Sequence, residues 1–475
     1  MTEGKTVVYG PAEYEQSLVD DNLYAGRAMS RRLVYQSGLE LAGTDYEPQG
    51  CGVQKIFAGK GKAVTTIPDI FIDSEKSLLI DGIQFTFVPA PNTETRAHMT
   101  VYDNTHKVLA LGDISMGTLH NTYTLRGART RDAAFWGEIF YHLYNEFGDE
   151  AVAVFQGHGI PHFKSEDDPD NVSRYLLDNA AAYKFPNDEE LLLANKGVKL
   201  QDIGRKINIP DRISKTWYTR DHYGNYTFNA RGAVNRILGF YDGNPVNLWP
   251  LEETEYAARF VEYAGGEDEA LKKAEQDFAR GDYQWVASVA NYIVMSNPDN
   301  KKARYLGADA LEQLAYQTQT GLWRNMYLTG AYELRNPNGK KNAPHLMDNS
   351  EVMPYVNAGL LFDYLGINFD GEKGIDLQEK FIIEITDTDD AEKYVVTLYK
   401  GTLLYDRLSG QKNTEQLTSV KLSRTQLYQL SSAKLGAEAF DGQTDDGRRI
   451  ISLIQDNITD TAVYSDFNII EPLAQ

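Results

Sequence analysis

The stretch SLLIDGIQFTFVPAP, residues 77–91, is the segment that says most about the fold. Apolar residues alternate on both sides of Asp81-Gly82, a pair that favours the tight turn of a β-hairpin. The stretch HMTVYDNTHKVLALGD, residues 98–113, repeats this pattern, and residues 130–163 continue with an amphipathic helix and a buried strand. Hairpins followed by a strand–helix alternation predict an α/β sandwich rather than a purely parallel sheet.

The chain divides into three regions. Residues 1–195 carry the hairpins and the strand–helix alternation, and residues 196–336 have helical spacing almost throughout. Residues 281–317 have the small residues and the Asn-Pro break of one tetratricopeptide-like helical hairpin. The stretch at 335–349 is a polar Asn/Pro/Lys linker, and residues 345–475 predict a small α+β domain with a β-meander and a Ser-capped helix.

Composition restricts the class of protein. The chain has 475 residues, of which 42% are apolar and 24% charged, and its net charge is −21. Such an acidic chain is not expected to bind nucleic acid or anionic membranes non-specifically, and no apolar run approaches the length of a membrane span. One cysteine, Cys51, excludes a disulfide framework; we interpret it as inert. With no signal peptide at the start of the sequence, we expect a cytoplasmic protein.

Three side chains that could bind a metal follow predicted strands. These are Glu94, Asp113 and His158. The carboxyl ends of strands gather at one edge of a sheet, and two carboxylates with an imidazole suit Zn²⁺. The alternative is that each is an ordinary turn former or loop residue. His98 and His106 are interpreted as surface residues of a strand.

Residues 113–132, DISMGTLHNTYTLRGARTRD, concentrate groups that bind anions. Arg126 lies between Leu and Gly, and its planar guanidinium matches sulfate, phosphate or carboxylate. Asn121 can add a neutral donor. Arg129 and Arg131 are interpreted as solvated arginines at a helix N-terminus.

Several long motifs resemble one family. The stretch TLHNTYTLRGARTRDAAFW (118–136), with AGRAMSRR (25–32) and GHGIPHF (157–163), resembles the metal-dependent alkyl sulfatases of the metallo-β-lactamase superfamily. Residues 223–251, together with ARGDYQWVASVAN and the stretch 309–335, resemble that family's dimerisation domain. The C-terminal region resembles its sterol-carrier-protein-like domain. The resemblance therefore implies the C-terminal part of a metallo-β-lactamase αββα sandwich, then an all-helical dimerisation domain, then a small α+β domain.

The resemblance also implies an activity and a set of site residues. The activity is hydrolysis of amphiphilic primary alkyl sulfates such as dodecyl sulfate to the alcohol and sulfate, at a binuclear Zn²⁺ site in a homodimer. Glu94, Asp113 and His158 match metal ligands, and Asn121 and Arg126 match the sulfate-binding pair. A metal pair lowers the pKa of bound water, and Arg neutralises the sulfate as charge moves onto it.

Two departures from the family pattern matter. Asp113 stands where the family has Glu, so its side chain is one methylene shorter. The family's His-x-His-x-Asp-His motif, which would supply four ligands, has no counterpart among the eight histidines of this sequence. We therefore expect an N-terminally truncated member that is catalytically incomplete as this chain. An in-frame His-x-His-x-Asp-His upstream in the gene would restore the full enzyme.

Two other classes of function stay open. A non-catalytic, dimeric scaffold that binds an amphiphile would use the helical region and an apolar tunnel in the C-terminal domain. The second class is a tetratricopeptide-like adaptor, for which the sequence evidence is the single helical hairpin at residues 281–317. The aromatic-rich helices are expected to bury against a second copy, with the alternative that they fill the core of their own domain.

Overall fold

The computed structural model describes residues 6–42, 65–339, 341, 353–388, 391–408, 416–464 and 466–473. Cys51 and most of the predicted linker at 335–349 lie outside these residues.

The described residues form both strands and helices. The strands are β1 (Tyr9–Pro11), β2 (Ile70–Ile72), β3 (Lys76–Ile80), β4 (Ile83–Pro89), β5 (Met99–Asp103), β6 (Val108–Ala110), β7 (Ala153–Phe155), β8 (His162–Phe163), β9 (Gln378–Ile385), β10 (Glu392–Tyr399), β11 (Thr402–Arg407) and β12 (Ser419–Leu422). The α-helices are α1 (Tyr14–Val19), α2 (Gly26–Ser37), α3 (Ala133–Phe147), α4 (Asn171–Asn195), α5 (Leu200–Lys206), α6 (Asp211–Ser214), α7 (Tyr226–Leu238), α8 (Glu253–Tyr263), α9 (Glu267–Ala279), α10 (Tyr283–Ser296), α11 (Lys301–Gln317), α12 (Gly321–Arg335), α13 (Ala358–Asn368), α14 (Arg424–Ser431) and α15 (Asp445–Asp456). A π-helical turn, Asp20–Tyr24, separates α1 from α2.

The chain forms two compact units that differ from the predicted partition. One comprises Met1–Arg27, Gly59–Ile70 and His345–Ser465, and the other comprises Ala28–Ala58, Phe71–Pro344 and Asp466–Gln475. The first residues of the chain therefore group with the C-terminal region and not with the α/β region. The physical reason is that Val19 and Leu23 are buried in the hydrophobic core of the C-terminal region. Their helical pattern is visible in the sequence, but the pattern does not identify what they pack against.

The larger unit contains a six-stranded sheet in the order β3-β4-β5-β6-β7-β8. The predicted hairpin is confirmed: β3 and β4 are antiparallel, and Asp81 and Gly82 between them have φ of 50° and 82°. β5 pairs antiparallel with both β4 and β6, while β6 and β7 are parallel. β4, β6 and β7 therefore run in one direction, and their carboxyl ends lie at the same edge of the sheet.

Helices α3 and α4 cover this sheet. Their apolar side chains join those of the strands in one core, in which Trp136 stacks on Tyr183 at 4.5 Å between ring centroids and Tyr102 stacks on Phe147 at 4.2 Å. Asp132 caps the start of α3 by accepting a hydrogen bond from the amide of Phe135. Because α3 connects the parallel strands β6 and β7, the loops on either side of it are fixed to the core.

The helices α5 to α12 and most of α2 also belong to the larger unit. The predicted helical hairpin is α10 and α11, which pack so closely that a Cβ on Gly307 would lie 3.0 Å from the Cβ of Ala290. The segment 466–473 also belongs to this unit. Arg31, fully buried, donates to both carboxylate oxygens of Glu333 and to the Phe467 carbonyl, and Arg304 forms a buried ion pair with Glu471.

The smaller unit is an α+β domain, as predicted. Its sheet has the order β11-β10-β9-β12, in which β12 is parallel to β9 and the other pairs are antiparallel. The predicted Ser cap of α14 is confirmed: Ser423 and Gln426 form a reciprocal capping box. Among the residues that the structure describes, none of the helices combines the length and apolarity that a membrane span requires.

Candidate functional site

Loops from three strands that run in the same direction meet at one edge of the six-stranded sheet. Glu94 follows β4, Asp113 follows β6 and His158 follows β7. The His158 Nε2 lies 3.7 Å from the Asp113 Oδ1, with 33% and 46% of the two side chains exposed. The structure thus brings two of the three predicted ligands together in a position that a solute can reach. Their role as metal ligands stays a prediction.

A glycine makes this approach of the two loops sterically feasible. A Cβ on Gly157 would lie 1.8 Å from the Asp113 Oδ1, much closer than atoms can approach. The amide of Gly157 also donates to the carbonyl of Gly112, at 2.9 Å. The loops after β6 and β7 are therefore held together by a backbone hydrogen bond that brings Asp113 and His158 to the same point.

His98 lies beside this pair, which corrects its interpretation as a surface residue. Its Nε2 accepts a hydrogen bond from the amide of Asp113 at 3.2 Å. The proton of the neutral ring is therefore on Nδ1, which is buried and has no partner among the described residues. Burial lowers the pKa of His98 to about 4, although the nearby Asp113 carboxylate acts in the opposite direction. His106, in contrast, is exposed and pairs with Asp103.

Arg131 is the centre of a buried polar network, so its interpretation as a solvated arginine is wrong. Only 7% of the residue is exposed. Its Nη2 donates to the Glu94 Oε1 at 2.7 Å, and its Nη1 donates to the carbonyl and the side-chain Oδ1 of Asn121. The amide of Arg131, which lies just before α3, donates to the Thr122 carbonyl. This hydrogen bond holds Arg131 in the interior. One guanidinium thus joins Glu94 to Asn121.

Asn121 is buried in a defined orientation. Arginine has only donors, so the atom of Asn121 that faces Arg131 must be the oxygen. The Nδ2 therefore faces away from Arg131. It is buried and has no hydrogen-bond partner among the described residues. Leaving a buried donor unpaired costs about 1–3 kcal/mol, so this atom indicates a place where an acceptor from outside the chain can bind.

His120 belongs to the same network and was not singled out from the sequence. Its ring lies against Trp136 and Tyr223, with centroids 5.4 and 4.9 Å away. Its Nδ1 lies 2.9 Å from the Arg131 Nη1 and 3.1 Å from the carbonyl oxygen of Asn121. Burial and then the Arg131 charge hold the pKa of His120 well below its usual range. Its position directly before Asn121 was the one sequence signal that could have identified His120 as part of the site. The sequence alone does not show that its ring is buried.

The two residues predicted to bind sulfate have different neighbours. Arg126 donates through Nη1 to the Gly127 carbonyl at 3.1 Å and contacts the Met29 sulfur at 3.4 Å. Its amide donates to the Gln36 Oε1, so Arg126 lies beside α2 and not in the Arg131 network. Arg129 is exposed, as expected.

The described residues fit the implied metal in part. Asp113 and His158 can supply two ligands to one ion, whereas Glu94 is engaged by Arg131. Within the described ranges, no three His, Cys, Asp or Glu side chains are placed together as a ligand set. The arrangement provides a neutral donor, Asn121, held by the buried guanidinium of Arg131, and a separate carboxylate–imidazole pair, Asp113 and His158.

Comparisons with known proteins show which proteins the chain is similar to. Residues 199–337 match the family described as alkyl sulfatase dimerisation, and residues 347–472 match alkyl sulfatase C-terminal. A linear primary-alkylsulfatase of a Pseudomonas species is 34% identical over 90% of this chain and 64% of its own length. An (R)-specific secondary-alkylsulfatase, also of Pseudomonas, is 33% identical over 99% of this chain and 70% of its own length. The solved structure of the stereoselective inverting sec-alkylsulfatase Pisa1 from Pseudomonas superposes with a TM-score of 0.89, at 32% identity over 98% of this chain and 73% of that one.

The proteins named in these matches are sulfuric ester hydrolases. The chain belongs to the alkylsulfatase family. It spans about two thirds of the length of the curated relatives described above.

Proposed function

We propose that this chain takes part in the hydrolysis of primary alkyl sulfate esters, such as dodecyl sulfate, to the alcohol and sulfate. The single observation that carries the proposal is the buried Asn121 Nδ2, an amide donor without a partner among the described residues. Family membership supports the class of substrate. Relatives named as primary and as secondary alkylsulfatases match with similar identity, so the primary class follows from the resemblance of the motifs alone.

The Asn121 donor suits a sulfate oxygen. Arg131 holds the Oδ1, which prevents the amide from turning its oxygen towards an incoming anion. A sulfate oxygen would pair the Nδ2 and remove the cost of leaving it unpaired. The guanidinium of Arg131 adds a fixed positive charge behind the amide. In this proposal Asn121 binds sulfate, Arg131 positions Asn121, and Arg126 is the second sulfate-binding residue, as the resemblance implies.

Zn²⁺ is the metal we propose for the sheet edge, with Asp113 and His158 as ligands and Glu94 as the third ligand that the resemblance implies. When bound there, Zn²⁺ would polarise the sulfate group and lower the pKa of a bound water. The residues of this chain hold the two ligands together through Gly157 and keep His98 and His120 neutral, because burial lowers the pKa of both rings. A positive charge on either ring would repel the metal.

The test measures binding and turnover separately. The purified chain is titrated with dodecyl sulfate by calorimetry, and released sulfate is measured by ion chromatography with and without added Zn²⁺. Asn121→Ala is expected to weaken binding about tenfold or more, the usual effect of losing a hydrogen bond to a charged group. Asn145→Ala, an exposed position on α3, is the control. Equal affinity of the Asn121 variant and the native chain would contradict the proposal.

The same experiment separates the enzyme from the alternative function. Sulfate release that depends on Zn²⁺ supports the hydrolase. Binding that depends on Asn121 without sulfate release supports the non-catalytic, amphiphile-binding scaffold. Zinc content by mass spectrometry of native chain, His158→Ala and the exposed control His106→Ala tests the ligand assignment independently of turnover.

We further infer the finer fold and the assembly from the resemblance. The six-stranded sheet with α3 and α4 corresponds to the C-terminal part of a metallo-β-lactamase sandwich, and the α+β domain to a sterol-carrier-like domain. The chain is proposed to be a cytoplasmic homodimer, which the match of residues 199–337 to a dimerisation family supports. Sedimentation at micromolar concentration tests the dimer, and the mass of a single chain would contradict it.

A further inference from the structure

The end of α7 and the segment that follows it expose an unusual amount of apolar surface. Residues 237–251, here called the arm, connect α7 to α8 and lie within the region that matches the dimerisation family. Phe240 is 92% exposed and Trp249 94% exposed, and Val246 and Leu248 are 79% and 65% exposed. Large apolar side chains exposed together in one short segment are typical of a site of interaction.

The arm has defined local structure. The Asn247 Nδ2 donates to the Asp242 Oδ2 at 2.7 Å, and the Asn244 Oδ1 accepts from the amide of Val246 at 3.2 Å. These hydrogen bonds hold the arm in turns that leave its apolar side chains outward. A preformed segment of this kind loses less conformational entropy when it docks than a flexible one does.

The same region carries a cavity of about 830 Å³. Phe228 of α7 and Trp323 and Met326 of α12 provide apolar walls, and Arg205 of α5 and Arg231 of α7 add two guanidinium groups. The Arg231 guanidinium lies over the Phe228 ring, 5.4 Å from its centroid. The volume is within the range of sites that enclose a drug-sized molecule, so more than one large side chain fits.

The charges of the arm and of the cavity are complementary. In the part of the chain that the structure describes, neither Arg205 nor Arg231 pairs with a carboxylate, although the chain carries 68 acidic residues. Glu252 and Glu253, which directly follow the arm, are exposed and likewise have no basic partner among the described residues. Complementary charges of this kind fix the register of an interface.

We propose that the arm of one chain inserts into the cavity of a second copy, with Trp249 between the apolar walls and Glu252 and Glu253 facing Arg205 and Arg231. Both surfaces are present on each chain, so two copies related by a twofold axis bury both arms at once. This inference rests on the proposed homodimer and names the surfaces that form it.

Cross-linking tests the contact directly. In a Cys51→Ser background, which removes the single native cysteine, Leu248→Cys is placed on the arm and Gln284→Cys at the cavity. A short bismaleimide is added to the dimer, and linked peptides are mapped by mass spectrometry. The expected product is a species of two chains in which position 248 is linked to position 284. Leu248→Cys with Tyr305→Cys, an exposed position on α11, is the matched control and should give no such link.

The outcomes distinguish this inference from the proposed dimer. A dimer in sedimentation that gives no 248–284 link, or links 248 to 248, overturns the inference and leaves the dimer intact. A link within one chain also overturns it, because the cavity would then be filled by its own arm. A chain that sediments as a monomer contradicts both. An unlinked cavity would leave room for another occupant, such as an amphiphilic anion.

Charge reversal provides an independent test. Arg205→Glu with Arg231→Glu is expected to weaken the homodimer at least tenfold, because both arginines then repel the glutamates of the partner's arm. Mixing this variant with Glu252→Arg/Glu253→Arg should restore both contacts and give a heterodimer, because each arm then meets a cavity of opposite charge. Arg280→Glu, which changes an exposed arginine paired with Asp277 in the same unit, is the control. Unchanged self-association of the double arginine variant would overturn the proposal.

Discussion

Glu190 gives the sharpest prediction about stability. It lies on α4, is fully buried, and neither carboxylate oxygen has a hydrogen-bond partner among the described residues. Burial raises its pKa from 4.5 to about 9. The unfolded chain loses the proton near pH 4.5, while the folded chain keeps it up to about pH 9. Between these values the folded state binds more protons, so stability falls as pH rises.

The size of the effect follows from the shift. Each pH unit in this window lowers the free energy of unfolding by about 1.4 kcal/mol, so the loss between pH 6 and 8 is about 3 kcal/mol. Glu190→Gln keeps the shape but cannot ionise. The variant should therefore gain stability relative to the native chain as pH rises, with a difference that widens by about 3 kcal/mol over this range.

The assay is urea unfolding of both proteins at pH 6, 7 and 8, followed by circular dichroism, because the helices of the larger unit dominate that signal. Glu189→Gln, a partly exposed neighbour on the same helix, is the control. Its free energy of unfolding should change with pH as that of the native chain does. If the free energies of unfolding of Glu190→Gln and the native chain change with pH in the same way, this carboxyl titrates normally and the reasoning is refuted.

Three further predictions concern single contacts. Arg131→Met removes the cation from Glu94 and the donor from the Asn121 oxygen, so it should cost about 3 kcal/mol in urea unfolding, whereas exposed Arg129→Met should change little. Gly157→Ala places a Cβ where the Asp113 Oδ1 lies, so the half-exposed carboxylate must rotate away; we expect lower zinc content with little change in stability, and unchanged zinc content would count against the site. Ser423→Ala removes a helix cap and should lower the stability of the smaller unit by about 1 kcal/mol, measured by hydrogen exchange in α14.

Features set by neighbouring residues are predicted well from this sequence. The Asp81-Gly82 turn requires two positive φ angles, which Gly and Asp adopt more readily than other residues. The cap of α14 needs only Ser423 and Gln426, three positions apart. The convergence of the loops after β6 and β7 also follows from the sequence, because parallel strands joined by a helix end at the same edge of a sheet.

Features set by distant residues are not predicted. Arg131 has the sequence environment of a solvated arginine at a helix N-terminus, and its partner Glu94 lies 37 positions away. Nothing near it in sequence indicates that the sheet and α3 enclose it. The same applies to Val19 and Leu23, whose apolar pattern predicts a helix but not the core that it joins.

The distribution of the two cores along the chain has a consequence for biosynthesis. Val19 and Leu23 complete a core whose other members begin at Met353, so the first helix leaves the ribosome long before its partners exist. The larger unit in turn needs Phe467 and Glu471 to pair Arg31 and Arg304. Neither unit can complete its native contacts until these distant residues have been translated, and apolar surface stays exposed until then. Expression of this chain should therefore depend on chaperones more than that of a protein whose domains are consecutive, and a fragment that starts at residue 345 should fold poorly without residues 14–24.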